Sequence, residues 1–98
     1  MTDTPDVRNN RQANQYELEV DGQLFIAAYE SRDGAIAFTH TEVPKALEGR
    51  GLASRLIKKA LADVRASDQK VIPLCAFVAA YLNRHPEDQD LLATGAPG

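Results

Sequence analysis

Residues 42–56 of this chain are EVPKALEGRGLASRL, a glycine-rich turn that opens directly into a long amphipathic pattern. Gly49 and Gly51 can adopt positive φ angles, which lets backbone N–H groups approach a ligand closely. The unpaired N–H groups and the partial positive charge at the start of a helix favour a bound anion. The segment therefore predicts a phosphate-binding turn between a strand and a helix. A turn that merely joins the two elements is the alternative.

Three strand patterns precede this turn. Polar and apolar side chains alternate from Tyr16 to Val20, which is typical of a half-buried strand. Asp21-Gly22 favours a tight hairpin turn, and two further strands are predicted over residues 24–29 and 35–41. These three strands should form an antiparallel meander that delivers the chain to the glycine turn.

Apolar residues recur at helical spacing after the turn and predict a helix over residues 51–67. A short strand over residues 70–74 and a second helix from Phe77 to about His85 should follow, because Pro86 disfavours helical geometry at the residue before it. Right-handed crossover would place the last strand parallel to the third. The fold class predicted is α/β (α+β).

Composition limits the chain to one domain. With 98 residues, of which 44% are hydrophobic, it can build a single core, which we place at residues 15–93. The polar segment 1–14 is predicted to be a mobile arm, and residues 94–98 a flexible tail.

Charge and residue types narrow the class of ligand. The net charge is −3, but residues 50–70 carry six basic and two acidic side chains, which favours a small polyanionic ligand over nucleic acid. An ordinary solvated helix face is the alternative. One cysteine and two histidines predict no metal site and no internal disulfide. Without an apolar span or a signal-like N-terminus, we expect a cytoplasmic protein with no membrane partner.

The order of these elements resembles the central core of the GNAT superfamily of acetyl-CoA-dependent N-acetyltransferases. The acyl-donor loop of that superfamily follows the pattern Gln/Arg-x-x-Gly-x-Gly/Ala, which Gly51 and Ala53 match and from which Glu48 departs. Four motifs taken together resemble the minimal, stand-alone YjdJ-like group: HTEVP at 40–44, EGRGLA at 48–53, IPLC at 72–75 and YLNRHPE at 81–87. The likeness spans about residues 16–92.

The resemblance implies that the chain binds acetyl-CoA without a metal. The pyrophosphate would lie on the turn formed by residues 48–53, and the pantetheine arm would run between the third strand and the strand that ends at Cys75. The implied contacts are Thr41, Val43, Glu48, Gly49, Arg50, Gly51, Leu52, Ala53 and Arg55.

Four residues are candidates for acetyl transfer to an amine. His40 and Glu42 lie two apart at the end of a strand and should face the same side, where either could act as the base, directly or through water. The alternative is that His40 is a strand-end residue satisfied by hydrogen bonds and Glu42 a loop carboxylate. Cys75 precedes a helix whose N–H groups can favour the thiolate, so it could be a nucleophile; inert packing or a simple ligand contact is the alternative. By resemblance, Tyr81 would protonate the leaving thiolate, and core packing is its alternative role.

The acceptor side is predicted to be open. Larger members of the superfamily carry helices between their first two strands, whereas only Asp21-Gly22-Gln23 fills that connection here. An open cleft fits a protein or peptide amine, a partner that completes the site, or a protein that binds coenzyme A and turns over slowly. The partners expected are acetyl-CoA and an acceptor that is either an amine-bearing small molecule or a protein. Two other functions remain open on the sequence: a non-catalytic acyl-CoA binding or sensing module, and an interaction domain whose glycine turn is only architectural.

Overall fold

The computed structural model describes residues 7–49 and 51–93. Its elements are, in chain order, β1 (Val7–Asn10), β2 (Gln15–Val20), β3 (Gln23–Arg32), β4 (Ala35–Glu42), α1 (Leu52–Ala66), β5 (Lys70–Pro73) and α2 (Ala76–Arg84). Short 3-10 segments cover Lys45–Leu47 and Pro86–Leu91. None of the helices in these two ranges is long and apolar enough to cross a membrane.

The five strands form one mixed sheet in the order β1-β2-β3-β4-β5. Neighbours from β1 to β4 run antiparallel, and β5 pairs parallel to β4 after the crossover through α1. This confirms the predicted α+β class and the predicted order from the meander to the second helix. Both helices begin and end within about a turn of their predicted limits.

The prediction of a mobile arm is wrong for residues 7–10. These residues form β1, which pairs with β2 from Val7 opposite Leu18 to Asn10 opposite Gln15, so the meander has four strands rather than three. The sequence of residues 7–10 alone does not predict this strand, because Arg8 and Asn10 are held partly by Glu17 of β2. Residues 1–6 and the predicted tail 94–98 lie outside the described residues.

Glu17 is a carboxylate held by three side chains on the sheet surface. Arg8 donates to Oε1 at 2.9 Å, and both Asn10 and Gln15 donate to Oε2, at 2.9 and 2.6 Å. These neighbours leave Glu17 only 5% exposed. The bonds from Gln15 and Asn10, followed by that from Arg8, hold the pKa of Glu17 below its ordinary value.

We expect this carboxylate to make the protein sensitive to acid. Because its folded pKa is depressed, Glu17 contributes stability above the ordinary glutamate pKa of about 4.3 and loses it as the pH falls through the lower folded value. Glu17→Gln should cost about 1–3 kcal/mol near neutral pH and flatten the stability curve between about pH 5 and 3. Urea unfolding across this range measures both effects, with the exposed Glu19→Gln as the matched control. Parallel pH curves for the wild type and Glu17→Gln would contradict this role.

The apolar core lies on one face of the sheet. The buried cluster takes Leu18, Phe25, Ala27 and Phe38 from that face and packs them against the apolar sides of α1 and α2. The Tyr16 hydroxyl lies 3.2 Å from Oδ2 of Asp63 on α1 and ties the helix to the sheet. The helices are therefore positioned firmly over one face, and the N-terminus of α1 stands next to the end of β4.

Candidate functional site

The glycine turn and the start of α1 line a cleft of about 390 Å³. Its walls are mainly apolar, and its lining residues are Val43, Leu47, Glu48, Gly49, Gly51, Leu52, Ala53, Ser54 and Phe77. Six of the nine residues implied by the resemblance therefore meet at one cavity. Leu47, Ser54 and Phe77 are additions that the sequence reasoning did not assign to the site.

Backbone conformation explains why glycine occupies two places in this cleft. Gly49 and Gly51 have φ angles of 81° and 76°, in the left-handed region where other residues are strained. A Cβ built on either glycine would meet no atom within 4 Å, so it would project into free space. Gly51 caps α1 without any side-chain hydrogen bond to the first helical N–H groups. Those donors are left available to an anion.

The sheet opens beside this cleft. Pairing between β4 and β5 ends at Phe38 opposite Pro73, whereas β4 continues to Glu42. A β-bulge at this point shifts the register of β4 against β3 between Ala28 and Tyr29. The two strands therefore part where the pantetheine arm of coenzyme A is implied to lie, and β4 has backbone groups there that β5 does not pair.

Cys75 and Thr41 meet across this opening. Thr41 Oγ1 lies 3.1 Å from Cys75 Sγ, and the backbone N–H of Val78 donates to the same sulfur at 3.4 Å. Cys75 caps α2 and is only 9% exposed. The sulfur therefore has a hydroxyl and an N–H group near it, either of which can stabilise negative charge on it.

His40 and Glu42 lie on the same side of β4, as their spacing predicts, and the two side chains are in contact. His40 Nε2 lies 3.0 Å from Glu42 Oε2, and both side chains are about 60% exposed. Since the carboxylate only accepts hydrogen bonds, Nε2 is the donor and Nδ1 of the neutral ring is left as an acceptor. Side chains alternate along β4, so this pair faces the side of the sheet opposite to Thr41 and Cys75.

Tyr81 is not brought together with the other candidates. It lines a separate cavity of about 310 Å³ with Lys58 and Arg65 of α1, and it is 3% exposed. Its ring stacks on His85 with centroids 3.9 Å apart, and His85 Nδ1 donates to the Tyr81 carbonyl at 2.7 Å. Burial, and then the carboxylates of Asp88 and Glu87, raise the pKa of its hydroxyl. This placement favours the core-packing interpretation.

The remaining predicted residues are placed as follows. Arg55 is exposed on the first turns of α1, and Arg50 lies outside the described residues. Arg65, part of the basic stretch, is engaged elsewhere, since it donates to Asp90 at 2.8 Å and to Asp88 at 3.2 Å. Among residues 7–49 and 51–93, no cluster of three or more His, Cys, Asp or Glu side chains could hold a metal ion.

Two of the site's features carried no usable signal in the sequence. The position of Phe77 in the helical pattern of α2 is the one expected of a core residue. Its place in the cleft therefore depends on how α2 packs. The Thr41–Cys75 contact joins residues 34 positions apart and depends on the register of β4 and β5.

Comparisons with known proteins relate this chain to a family. A sequence model described as GCN5-related N-acetyl-transferase matches residues 15–91. The chain is 34% identical over 88 residues to Protein NATD1 of Mus musculus, covering 87% of this chain and 80% of that protein. It is 33% identical to Protein NATD1 of Homo sapiens, covering 87% and 78%.

A solved structure shows the same fold. The solution structure of a GCN5-like protein from Staphylococcus aureus superposes with a TM-score of 0.74 at 23% identity, covering 94% of this chain and 91% of that one. Because the family model spans most of the described residues and includes the glycine turn, the chain belongs to the GCN5-related N-acetyltransferase family.

Proposed function

We propose that this protein binds acetyl-CoA in the cleft of the glycine turn and transfers the acetyl group directly to an amine. The observation that carries the proposal is the convergence of Gly49, Gly51 and the uncapped start of α1 on one cleft, next to the opening between β4 and β5. Backbone N–H groups there suit the pyrophosphate, and the apolar walls suit the pantetheine arm. Family membership supports the acetyltransferase class in general.

In the proposed reaction, one face of β4 supplies the base, and the residues on its other face protonate the leaving thiolate. On the exposed face, His40 Nδ1 takes a proton from the amine while Glu42 holds the ring in place. The amine nitrogen then forms a bond to the acetyl carbon, and the carbon–sulfur bond of the thioester breaks. On the other face, the S–H of Cys75 donates its proton to the departing thiolate, and the Thr41 hydroxyl and the Val78 N–H stabilise the sulfur that remains. Solvent then takes the proton from His40 and restores the proton of Cys75.

Direct attack fits this arrangement better than an acyl-enzyme. A cysteine nucleophile is usually activated by a base within hydrogen-bond reach, but His40 faces the other side of the strand, and Cys75 is paired with Thr41. Tyr81 has no part in the proposed reaction, since it lines a different cavity.

Two measurements test the proposal. Titration calorimetry should detect acetyl-CoA binding, and an excess of a primary amine should make free thiol appear faster than hydrolysis alone. Intact-mass spectra after exposure to acetyl-CoA should show no acetyl adduct that depends on Cys75. No binding at hundreds of micromolar acetyl-CoA would overturn the proposal, and an adduct abolished by Cys75→Ala would replace direct attack with an acyl-enzyme.

A matched pair of glycine variants tests the position of the ligand. Gly51 and Gly34 have φ angles of 76° and 82°, and a Cβ built on either residue would have no atom of a non-adjacent residue within 4 Å. Both Gly→Ala changes should therefore cost a similar amount of stability, about 1–2 kcal/mol. Only Gly51→Ala places a methyl group in the proposed phosphate cleft, so it alone should raise the Kd for acetyl-CoA, by about tenfold. Equal affinities for the two variants would move the ligand away from this turn.

A further inference from the structure

One face of the sheet has no helix packed on it among the described residues. The buried cluster that includes α1 and α2 takes its sheet residues from the face of Phe25 and Phe38. Ile26, Ala28 and Ile72 point to the opposite face, where they are only partly buried. We call this surface the open face. Ala37 pairs with Ile72 and is fully buried on the same face, so small and aliphatic side chains form the middle of this surface.

The proposed base lies on the open face. Across the strands, Glu42 is in register with Ile26 and Glu17, and His40 is in register with Ala28 and Gln15. Both His40 and Glu42 are more than half exposed among the described residues, so an amine can approach Nδ1 from this side.

The charge around His40 is negative. Near Glu42, the charged strand residues of the open face are the carboxylates Glu17, Glu19 and Glu42 and the guanidinium of Arg8. Glu30, Arg32 and Lys70 lie towards the other end of this face. Arg8 is already paired with Glu17 at 2.9 Å, which leaves the charges of Glu19 and Glu42 to attract a ligand. A cationic ligand would therefore be drawn towards the base.

We propose that the acceptor is the side-chain amine of a lysine carried by a protein, whose neighbouring residues lie on the open face. This inference rests on the proposed acetyl transfer. A free small amine gains little from a flat surface, because small ligands are held by concave pockets that bury most of their area. A protein segment supplies its own contact area: it covers Ile26 and Ala28 while its lysine reaches His40. Acetylation removes the lysine charge, which weakens attraction to Glu19 and Glu42 and favours release of the product.

The test uses a peptide library as its probe. Peptides with one central lysine and four randomised residues on each side are incubated with the protein and acetyl-CoA, and the acetylated members are identified by mass spectrometry. Nα-acetyl-lysine methylamide, which has the same amine without flanking residues, is the comparison. We expect the best peptides to exceed it in kcat/KM by about tenfold or more, with lysine and arginine enriched in the flanks.

A charge-reversed open face separates docking from chemistry. Glu19→Lys with Leu24→Lys changes two exposed residues that pair with each other across β2 and β3. It should lower peptide kcat/KM by about tenfold and abolish the preference for basic flanks. The Kd for acetyl-CoA should stay unchanged, and the kcat/KM of the methylamide, which carries one positive charge and no flanking residues, should fall by less than about threefold. Glu87→Lys, an exposed change beside α2, is the matched control and should alter none of these values.

The possible failures are distinguishable. Three results would each overturn the protein acceptor while leaving acetyl transfer intact. The first is a peptide kcat/KM no higher than that of the methylamide, and the second is acetylated peptides whose flanking residues have the composition of the starting library. The third is a Glu19→Lys/Leu24→Lys variant with unchanged kcat/KM for peptides. If sedimentation shows a dimer of the wild type that the same variant dissociates, the open face binds a second copy of the chain, and the protein acceptor is overturned as well. Acetyl-CoA binding with no acetylation of any peptide or of the methylamide would overturn the transfer reaction itself.

Discussion

Replacing His40 by glutamine is expected to lower kcat for acetyl transfer by about 10²–10⁴-fold, which is the usual contribution of a general base. Glutamine can still donate to Glu42 across the 3.0 Å contact, but it has no nitrogen that accepts a proton. Because His40 lies on the opposite face of β4 from Thr41 and Cys75, the Kd for acetyl-CoA should not change. Stopped assays of amine acetylation at saturating acetyl-CoA, combined with calorimetry, measure the two quantities separately.

The second histidine of the chain supplies the control. His85 stacks on Tyr81 and donates to its carbonyl, so His85→Gln should reduce stability without lowering kcat in the folded protein. Glu42→Gln should lower kcat less than His40→Gln does, because the base is kept and only its orientation is weakened. An unchanged kcat in His40→Gln would remove this residue from the reaction, and the exposed pair would then be a surface contact of little energetic value.

The elements that could be predicted from sequence are those fixed by local patterns. The Asp21 turn, the left-handed glycines and the apolar stripe of α1 each require only a few neighbouring residues. β1 could not be found in this way. Its sequence, VRNN, has one apolar residue, and the strand pairs with β2, where Arg8 and Asn10 bind the carboxylate of Glu17. The strand is therefore determined by a contact between segments that no local pattern records.

The same distinction applies to the candidate site. His40 and Glu42 were expected on one side of a strand because side chains alternate, and the structure places them in contact. The cleft at the glycine turn likewise follows from one contiguous stretch of sequence. Where Tyr81 and Phe77 lie depends instead on how α2 packs against α1. Spacing within α2 alone could not tell which of the two would line the cleft.

The core beneath the glycine turn should be the most sensitive part of the fold. Leu56 is fully buried on α1, one turn after the start of the helix, in the cluster that joins α1 to the sheet. Leu56→Ala is expected to cost about 3–5 kcal/mol, because the lost transfer free energy adds to that of the cavity left behind. This is a large share of the roughly 5–15 kcal/mol that stabilises a typical domain, so the melting temperature should fall by more than about 10 °C.

The matched control is the same substitution at Leu24, whose side chain is 39% exposed on β3. Leu24→Ala should change stability by less than about 0.5 kcal/mol, as surface substitutions usually do. Acetyl-CoA gives a further test, because a ligand that binds only the folded state adds about 2.7 kcal/mol at 100 times its Kd. Leu56→Ala should therefore recover much of its lost melting temperature when acetyl-CoA is added at that excess. If Leu56→Ala and Leu24→Ala unfold at the same urea concentration, the packing of α1 on the sheet does not control stability, and the position of the glycine turn must depend on other contacts.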